Sequence, residues 1–256
     1  MQKTKRNRKP GLPEHLEGIR LNRFLARAGR GSRRSCDDMV ADGLVSVNGT
    51  IVRDPGLRLS AGDVVRCDSE TVRIPPSFVL ALNKPVGYET TMSPSGGRRA
   101  ITELLGGVPP GAAPVGRLDV QTGGLLLLSN DGELIHRLTH PRWHVEREYM
   151  LILSRNPSLK SMERLRKGVM IGEGQFSKPL KVLPCGQNRI RLVLDTGRNR
   201  EVRRMAMVCR LYLSGLERIR FGPVKTGGLA RGAWRLLNPS ETAGLYREVG
   251  LDPVTS

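Results

Sequence analysis

Gly116-Arg117-Leu118-Asp119-Val120-Gln121-Thr122-Gly123-Gly124 runs directly into Leu125-Leu126-Leu127-Leu128-Ser129-Asn130-Asp131-Gly132, and this stretch decides how the chain is read. An acidic residue stands between an arginine and a glycine-rich turn. The turn feeds a short, wholly apolar run closed by a second turn, the pattern of a strand buried on both faces. Such a turn holds a carboxylate at the rim of a sheet, where a cleft can reach it. An Asp in a turn also serves simply to satisfy backbone amides, so spacing alone leaves both readings open.

Strand and helix patterns interleave around it. Phe78 to Leu82 predicts a buried strand ending in the Lys84-Pro85-Val86-Gly87 turn, and Val145 to Leu153 and Ile190 to Asp195 predict two more. Glu133 to Leu138 suits a short helix, and Val202, Met205, Ala206 and Cys209 form one apolar helical face after Gly197. Residues 78–240 therefore read as one domain with a mixed, mainly antiparallel sheet and flanking helices. Residues 241–256 read as a polar tail with little structure of its own.

Upstream, residues 18–72 read as a smaller unit. Leu21, Phe24, Leu25 and Ala28 recur at helical spacing, with Arg20, Arg23 and Arg27 off that stripe. Gly29 and Gly31 stop this helix and Ser32 caps a second. Val45 and Val47 then alternate, Asn48-Gly49 makes a tight turn and Ile51 starts the return strand. Pro75-Pro76 stiffens a linker over 73–77. Residues 1–17, with Lys3, Lys5, Arg6, Arg8 and Lys9, read as a basic disordered arm. The fold class predicted is α+β.

Forty-two Lys and Arg against 24 Asp and Glu give a net charge of +18. Self-repulsion of that size points to a polyanionic partner, because each neutralised phosphate releases a counterion. No apolar run reaches the length of a membrane span, and none follows the basic start as a signal peptide requires. Cys36, Cys67, Cys185 and Cys209 form no CxxC pair and read as reduced cytosolic thiols. His136, His140 and His144 recur every four residues, but Pro141 interrupts the helix that would align them, so no metal is expected.

Two resemblances are carried by these motifs. Ala26-Arg27-Ala28-Gly29 with Gly31-Ser32-Arg33-Arg34 and Val45-Ser46-Val47-Asn48-Gly49 resembles the RNA-binding domain of ribosomal small-subunit protein four. That likeness implies phosphate contacts by Arg23, Arg27, Arg33 and Arg34. The G-R-L-D segment with T-x-G-L-L-L-L-x-N-D-G resembles the signature of the RsuA/RluB branch of pseudouridine synthases. Val145-Glu146-Arg147-Glu148-Tyr149 and Gly197-Arg198-Asn199-Arg200-Glu201-Val202-Arg203-Arg204-Met205 are similar to two further motifs of that branch, in the same order. Departures are Ser129, where Thr is commoner, and Glu201, where Gln often occurs; neither touches the implied chemistry.

The resemblance implies isomerisation of a uridine in ribosomal RNA. Its glycosidic carbon–nitrogen bond is exchanged for a carbon–carbon bond, a redox-neutral change that requires no cofactor. Asp119 is the implied catalytic carboxylate, acting as nucleophile or as stabiliser of a developing sugar cation. Arg203 holds the position of the guanidinium that keeps such an acid charged in a dry pocket. Tyr149 holds that of the platform for a base flipped out of its stack. Lys84, Arg117, Arg198 and Arg200 are left as RNA contacts. The spelling is nearest the large-subunit (RluB) type. A small-subunit (RsuA) enzyme is the runner-up, and a non-catalytic RNA-binding assembly factor is the rival of another class. A cytoplasmic monomer is expected.

Overall fold

The computed structural model describes residues 11–94 and 96–252. The chain forms two compact units, one reaching to Pro76 and including Val108–Ala112, the other comprising Ser77–Gly107 and Ala113 onward.

In the small unit α1 (Leu21–Arg27) precedes α2 (Arg33–Ala41), which is capped by Ser32 accepting from the Ser35 amide at 3.1 Å. A four-stranded antiparallel sheet follows, built from β1 (Val45–Val47), β2 (Thr50–Ile51), β3 (Val65–Cys67) and β4 (Glu70–Thr71), in the order β2-β1-β3-β4. Leu21, Leu25, Cys36, Val40, Val45 and Leu59 fill its core, and Leu12 and Leu16 belong to the same core. The predicted basic arm is therefore too long. Its residues 11–17 pack through two leucines, while residues 1–10, with all five of its named cations, lie outside the described residues.

The large unit is organised on one mixed sheet in the order β11-β12-β8-β13-β7-β5-β15. In chain order its elements are β5 (Val79–Lys84), β6 (Ala113–Pro114), β7 (Gly123–Ser129), α3 (Gly132–Thr139), β8 (Arg147–Leu153), α4 (Leu159–Lys167), β9 (Val169–Met170) and β10 (Phe176–Ser177). Then come β11 (Lys181–Pro184), β12 (Arg189–Leu194), α5 (Glu201–Val208), β13 (Leu213–Phe221), β14 (Val224–Lys225), β15 (Trp234–Leu236) and α6 (Pro239–Glu248). Short β6 and β14 pair with β7 and β13, and β9 and β10 form a separate two-stranded ribbon. The central contact, β7 with β13, is parallel; the other pairs along the sheet are antiparallel.

Every residue of β7 is buried, as its apolar run requires. Gly124 makes the parallel contact possible. It lies at φ +95, and a Cβ there would meet the Arg218 carbonyl oxygen at 2.3 Å. At the far end of β7, Asp131 caps α3 by accepting from the amides of Glu133 and Leu134.

Residues 241–252, the described part of the predicted tail, are not without structure. Helix α6 spans Pro239–Glu248, opened by Asn238 and Glu241 in a capping box, and buries Leu245, Tyr246 and Val249 in the core of β5, β7 and α3. The Tyr246 hydroxyl donates to Asp131 at 2.7 Å. Among the described residues no helix is long and apolar enough to cross a membrane.

Candidate active site

A single cavity of about 170 Å³ in the large unit gathers the residues singled out in the sequence: Asp119, Tyr149, Arg203, Arg117, Arg198 and Arg200 all line it. It is smaller than the roughly 300–1,000 Å³ pockets of drug-sized ligands. Its scale is that of one base.

The turn carrying Asp119 is pinned on both sides. Thr90 donates its hydroxyl to the Leu118 carbonyl at 2.9 Å and accepts from the Leu118 amide at 3.2 Å. The Gly87 amide holds the Val120 carbonyl, and the Thr122 amide closes the turn onto the Asp119 carbonyl. Arg203, from the first turns of α5, then donates Nη2 to the Gln121 carbonyl at 2.6 Å and reaches Thr122 Oγ1 at 3.3 Å. The backbone around Asp119 thus has few ways to move.

The carboxylate is held differently. Arg203 Nε lies 3.7 Å from Asp119 Oδ2, an ion-pair separation rather than a hydrogen bond, with the two side chains 20% and 31% exposed. Nε itself is buried without a hydrogen-bond partner. Burial pulls the Arg203 guanidinium below its ordinary value, and the Asp119 charge opposes that fall. Such an acid is charge-compensated while its oxygens stay free of hydrogen bonds from the guanidinium, which suits attack on, or stabilisation of, a cationic centre.

Tyr149 sits mid-sheet on β8, opposite Leu192 of β12 and Arg218 of β13. Arg218 is buried at 2% exposure, donates Nε to the Leu125 carbonyl at 2.8 Å and lies against the Tyr149 side chain. Its Nη2 has no hydrogen-bond partner, and it lines the cavity. Sequence reasoning missed Arg218, since a cation inside an alternating strand reads as solvent-facing.

Glu201 was also undervalued. At 4% exposure it lines the same cavity and its carboxylate accepts from Ser177 Oγ (2.8 Å), Thr196 Oγ1 (2.8 Å) and the Arg198 amide (3.1 Å). The stretch 196–200, with its two exposed arginines, is thereby tied to α5.

Lys84 corrects another expectation. It was read as an RNA contact but is fully buried, its Nζ donating to the carbonyls of Pro85 (3.0 Å) and Tyr88 (2.7 Å). No phosphate can reach it. Burial brings its ammonium down to about 8, with the Asp119 charge acting in the opposite sense. In the small unit Arg23, Arg33 and Arg34 are exposed and Arg27 is half-buried.

A pinned acid paired with a guanidinium in a basic cavity of this size suits an enzyme that works on one nucleotide of a nucleic acid. Residues 78–207 match the RNA pseudouridylate synthase family, and residues 19–65 match the S4 domain. The chain is 36% identical over 239 residues to a protein of Aquifex aeolicus named an uncharacterized RNA pseudouridine synthase, covering 91% of this chain and 96% of that one. It is 38% identical to the ribosomal large subunit pseudouridine synthase B of Pseudomonas aeruginosa, over 97% of this chain and 67% of that one. With the Bacillus subtilis protein of the same name it shares 31%, over 87% and 93%. A crystal structure of a pseudouridylate synthase superposes with a TM-score of 0.65 at 28% identity, covering 89% of this chain and 99% of that one. The chain belongs to the RNA pseudouridylate synthase family. It is an RNA pseudouridine synthase, an isomerase with an S4 domain at its N-terminal side.

Proposed function

We propose that the substrate is a uridine of large-subunit ribosomal RNA and that Asp119 is the catalytic carboxylate. The observation that carries the site assignment is Asp119 lying 3.7 Å from Arg203 in one cavity with Tyr149. The large-subunit target is supported by the names of the Pseudomonas and Bacillus relatives.

The uridine flips out of its stack into the cavity. Asp119 attacks, or stabilises the sugar centre, as the bond from C1′ to N1 breaks. The base turns, the bond from C1′ to C5 forms, the C5 proton leaves and N1 gains one. Atoms and electrons balance without a redox partner, so the reaction itself calls for no cofactor. Arg203 keeps the acid charged and its turn fixed. Tyr149 stacks the base, and the unpaired Nη2 of Arg218 is a donor within the cavity wall. Arg117, Arg198 and Arg200 take phosphates at the rim.

In the small unit Arg23 and Arg27 share one side of α1 at i,i+4 spacing, and Arg33 and Arg34 open α2. Two cations at the positive end of a helix dipole are unfavourable by about 0.3–1 kcal/mol each, and phosphate docking there offsets this. The large unit, 77–107 with 113 onward, carries the chemistry, and the small unit grips folded RNA. The enzyme acts as a monomer, in the cytoplasm where ribosomes are assembled.

The test is Asp119→Asn, with pseudouridine mapped in ribosomal RNA from cells lacking the gene and complemented with either form. The gap in modification falls in the large subunit and only the wild-type gene closes it. A gap in the small subunit refutes the target, and full modification by Asp119→Asn refutes the site.

A further inference from the structure

We infer that the β9–β10 ribbon is a further RNA-contact element, on which the Phe176 ring stacks an unpaired base of the substrate near the flipped uridine. The inference rests on the reading of the chain as a ribosomal RNA pseudouridine synthase.

The ribbon has two unlike faces. Val169 and Ser177 are buried at 5% and 4%, whereas their neighbours Met170 and Phe176, paired directly across the strands, are 52% and 51% exposed. A half-exposed phenylalanine beside a half-exposed methionine presents a small apolar surface to solvent. The ring is also held in place. Gly168 lies at φ +88, and a Cβ there would stand 2.6 Å from Phe176 Cζ. The aromatic ring therefore rests on bare backbone, which only glycine permits, and the residue is 51% exposed.

Two strands of two residues cannot hold themselves together. The stretch that builds the cavity does it for them. Arg198 donates to the Phe176 carbonyl, Glu201 accepts from Ser177, and Arg204 donates to the Ile171 carbonyl (3.2 Å) and to Gln175 Oε1 (3.3 Å). Arg198 and Glu201 line the cavity as well, so ribbon and cavity share a wall. Residues of the chemical site are thus spent on fixing a small apolar platform next to it.

The occupant follows from scale and charge. A protein partner needs roughly 800 Å² on each side, far more than two side chains offer. A nucleobase needs one ring. Exposed Arg166, Lys178 and Arg198 lie next to these strands in the chain or bond to them, and suit the phosphates on either side of that base; Lys167 is ion-paired to Glu163 at 2.7 Å, and the acidic Glu173 sits in the turn that connects the strands.

The test uses full-length enzyme and protein-free large-subunit ribosomal RNA from cells lacking the gene. Initial rates of pseudouridine formation are measured for wild type, Phe176→Leu and Phe176→Trp, with melting temperatures alongside. Leu keeps apolar volume over Gly168 but cannot stack. Loss of one stacked base corresponds to about 5- to 150-fold, so KM rises at least about fivefold in Phe176→Leu with kcat within about twofold, and Phe176→Trp returns KM to the wild-type range. An unchanged KM in Phe176→Leu, or a defect that Trp does not rescue, overturns the inference while the wild type remains active. An inactive wild type overturns the underlying reading, and this inference with it.

Discussion

Replacing Lys84 by Met should reshape how the stability of the large unit depends on pH. The Lys84 ammonium is buried at the end of β5 and bonded to two carbonyls, with no carboxylate in hydrogen-bond contact. Burial brings it from an ordinary 10.5 to about 8. At about 1.4 kcal/mol per pH unit, that gap corresponds to about 3 kcal/mol. Below pH 8 folded and unfolded chains both carry the proton, and the full penalty of burying it is present. Between 8 and 10.5 the unfolded chain binds a proton that the folded chain has released, so stability rises with pH. Cys36 acts in the opposite sense. Burial lifts its thiol from 9.0 to about 11, so the fold weakens as pH rises from 9 towards 11. That contribution is common to both proteins and cancels in their difference.

The assay is urea unfolding at pH 7, 8, 9 and 10, followed by fluorescence of Trp143 and Trp234, which both lie in the unit containing Lys84. Loss of two hydrogen bonds offsets the variant by a constant amount. Against that offset, the wild type gains roughly 1.4 kcal/mol per pH unit between 8 and 10. A difference that stays flat from pH 7 to 10 would show that the ammonium is not desolvated, and the account of Lys84 would fail.

The other predictions are briefer. Arg203→Lys keeps a cation but loses the fork that holds Gln121 and faces Asp119 together; kcat falls about 100-fold or more with KM changed little, read in single-turnover assays. Glu201→Ala leaves Ser177, Thr196 and the Arg198 amide without their shared acceptor and lowers stability by about 1–3 kcal/mol by denaturant titration, with Glu201→Gln intermediate. Gly124→Ala drives a methyl into the Arg218 carbonyl at a positive φ and destabilises the sheet by about 2–4 kcal/mol, seen as a lower Tm. Tyr246→Phe removes the bond to Asp131 and costs about 1 kcal/mol while activity persists.

The sequence made some of this legible and hid the rest for definable reasons. The apolar run Leu125–Leu128 and the face Val202, Met205, Ala206, Cys209 became β7 and α5, because their burial follows from local pattern alone. Helix α6 was missed although Asn238-Pro239-Ser240-Glu241 spells a capping box with proline at the first helical position. Its polar composition masked Leu245, Tyr246 and Val249, the residues that reach the core. Lys84 and Arg218 were misplaced or overlooked for another reason. A cation on a strand is assigned to solvent unless its partners are known, and theirs are backbone carbonyls, which no side-chain pattern announces.

Those carbonyls bear on how the site works. Arg203 binds the backbone oxygen of Gln121, Arg218 that of Leu125, and Lys84 those of Pro85 and Tyr88. Each of the three cations thus bonds backbone carbonyls rather than the Asp119 oxygens, while Arg203 Nε and Arg218 Nη2 have no hydrogen-bond partner. A carboxylate locked in a bidentate pair would be stable and idle. Here the positive charges build the frame, and among the described residues the one ion pair that reaches Asp119 stands at 3.7 Å, close enough to favour its charge and too far to occupy its lone pairs. The same economy explains why Glu201, with three donors, faces the ribbon and the arginine-bearing stretch rather than the guanidinium of Arg203. Two acids share one cavity wall: Glu201 accepts three hydrogen bonds, whereas Asp119 stands in an ion pair with Arg203.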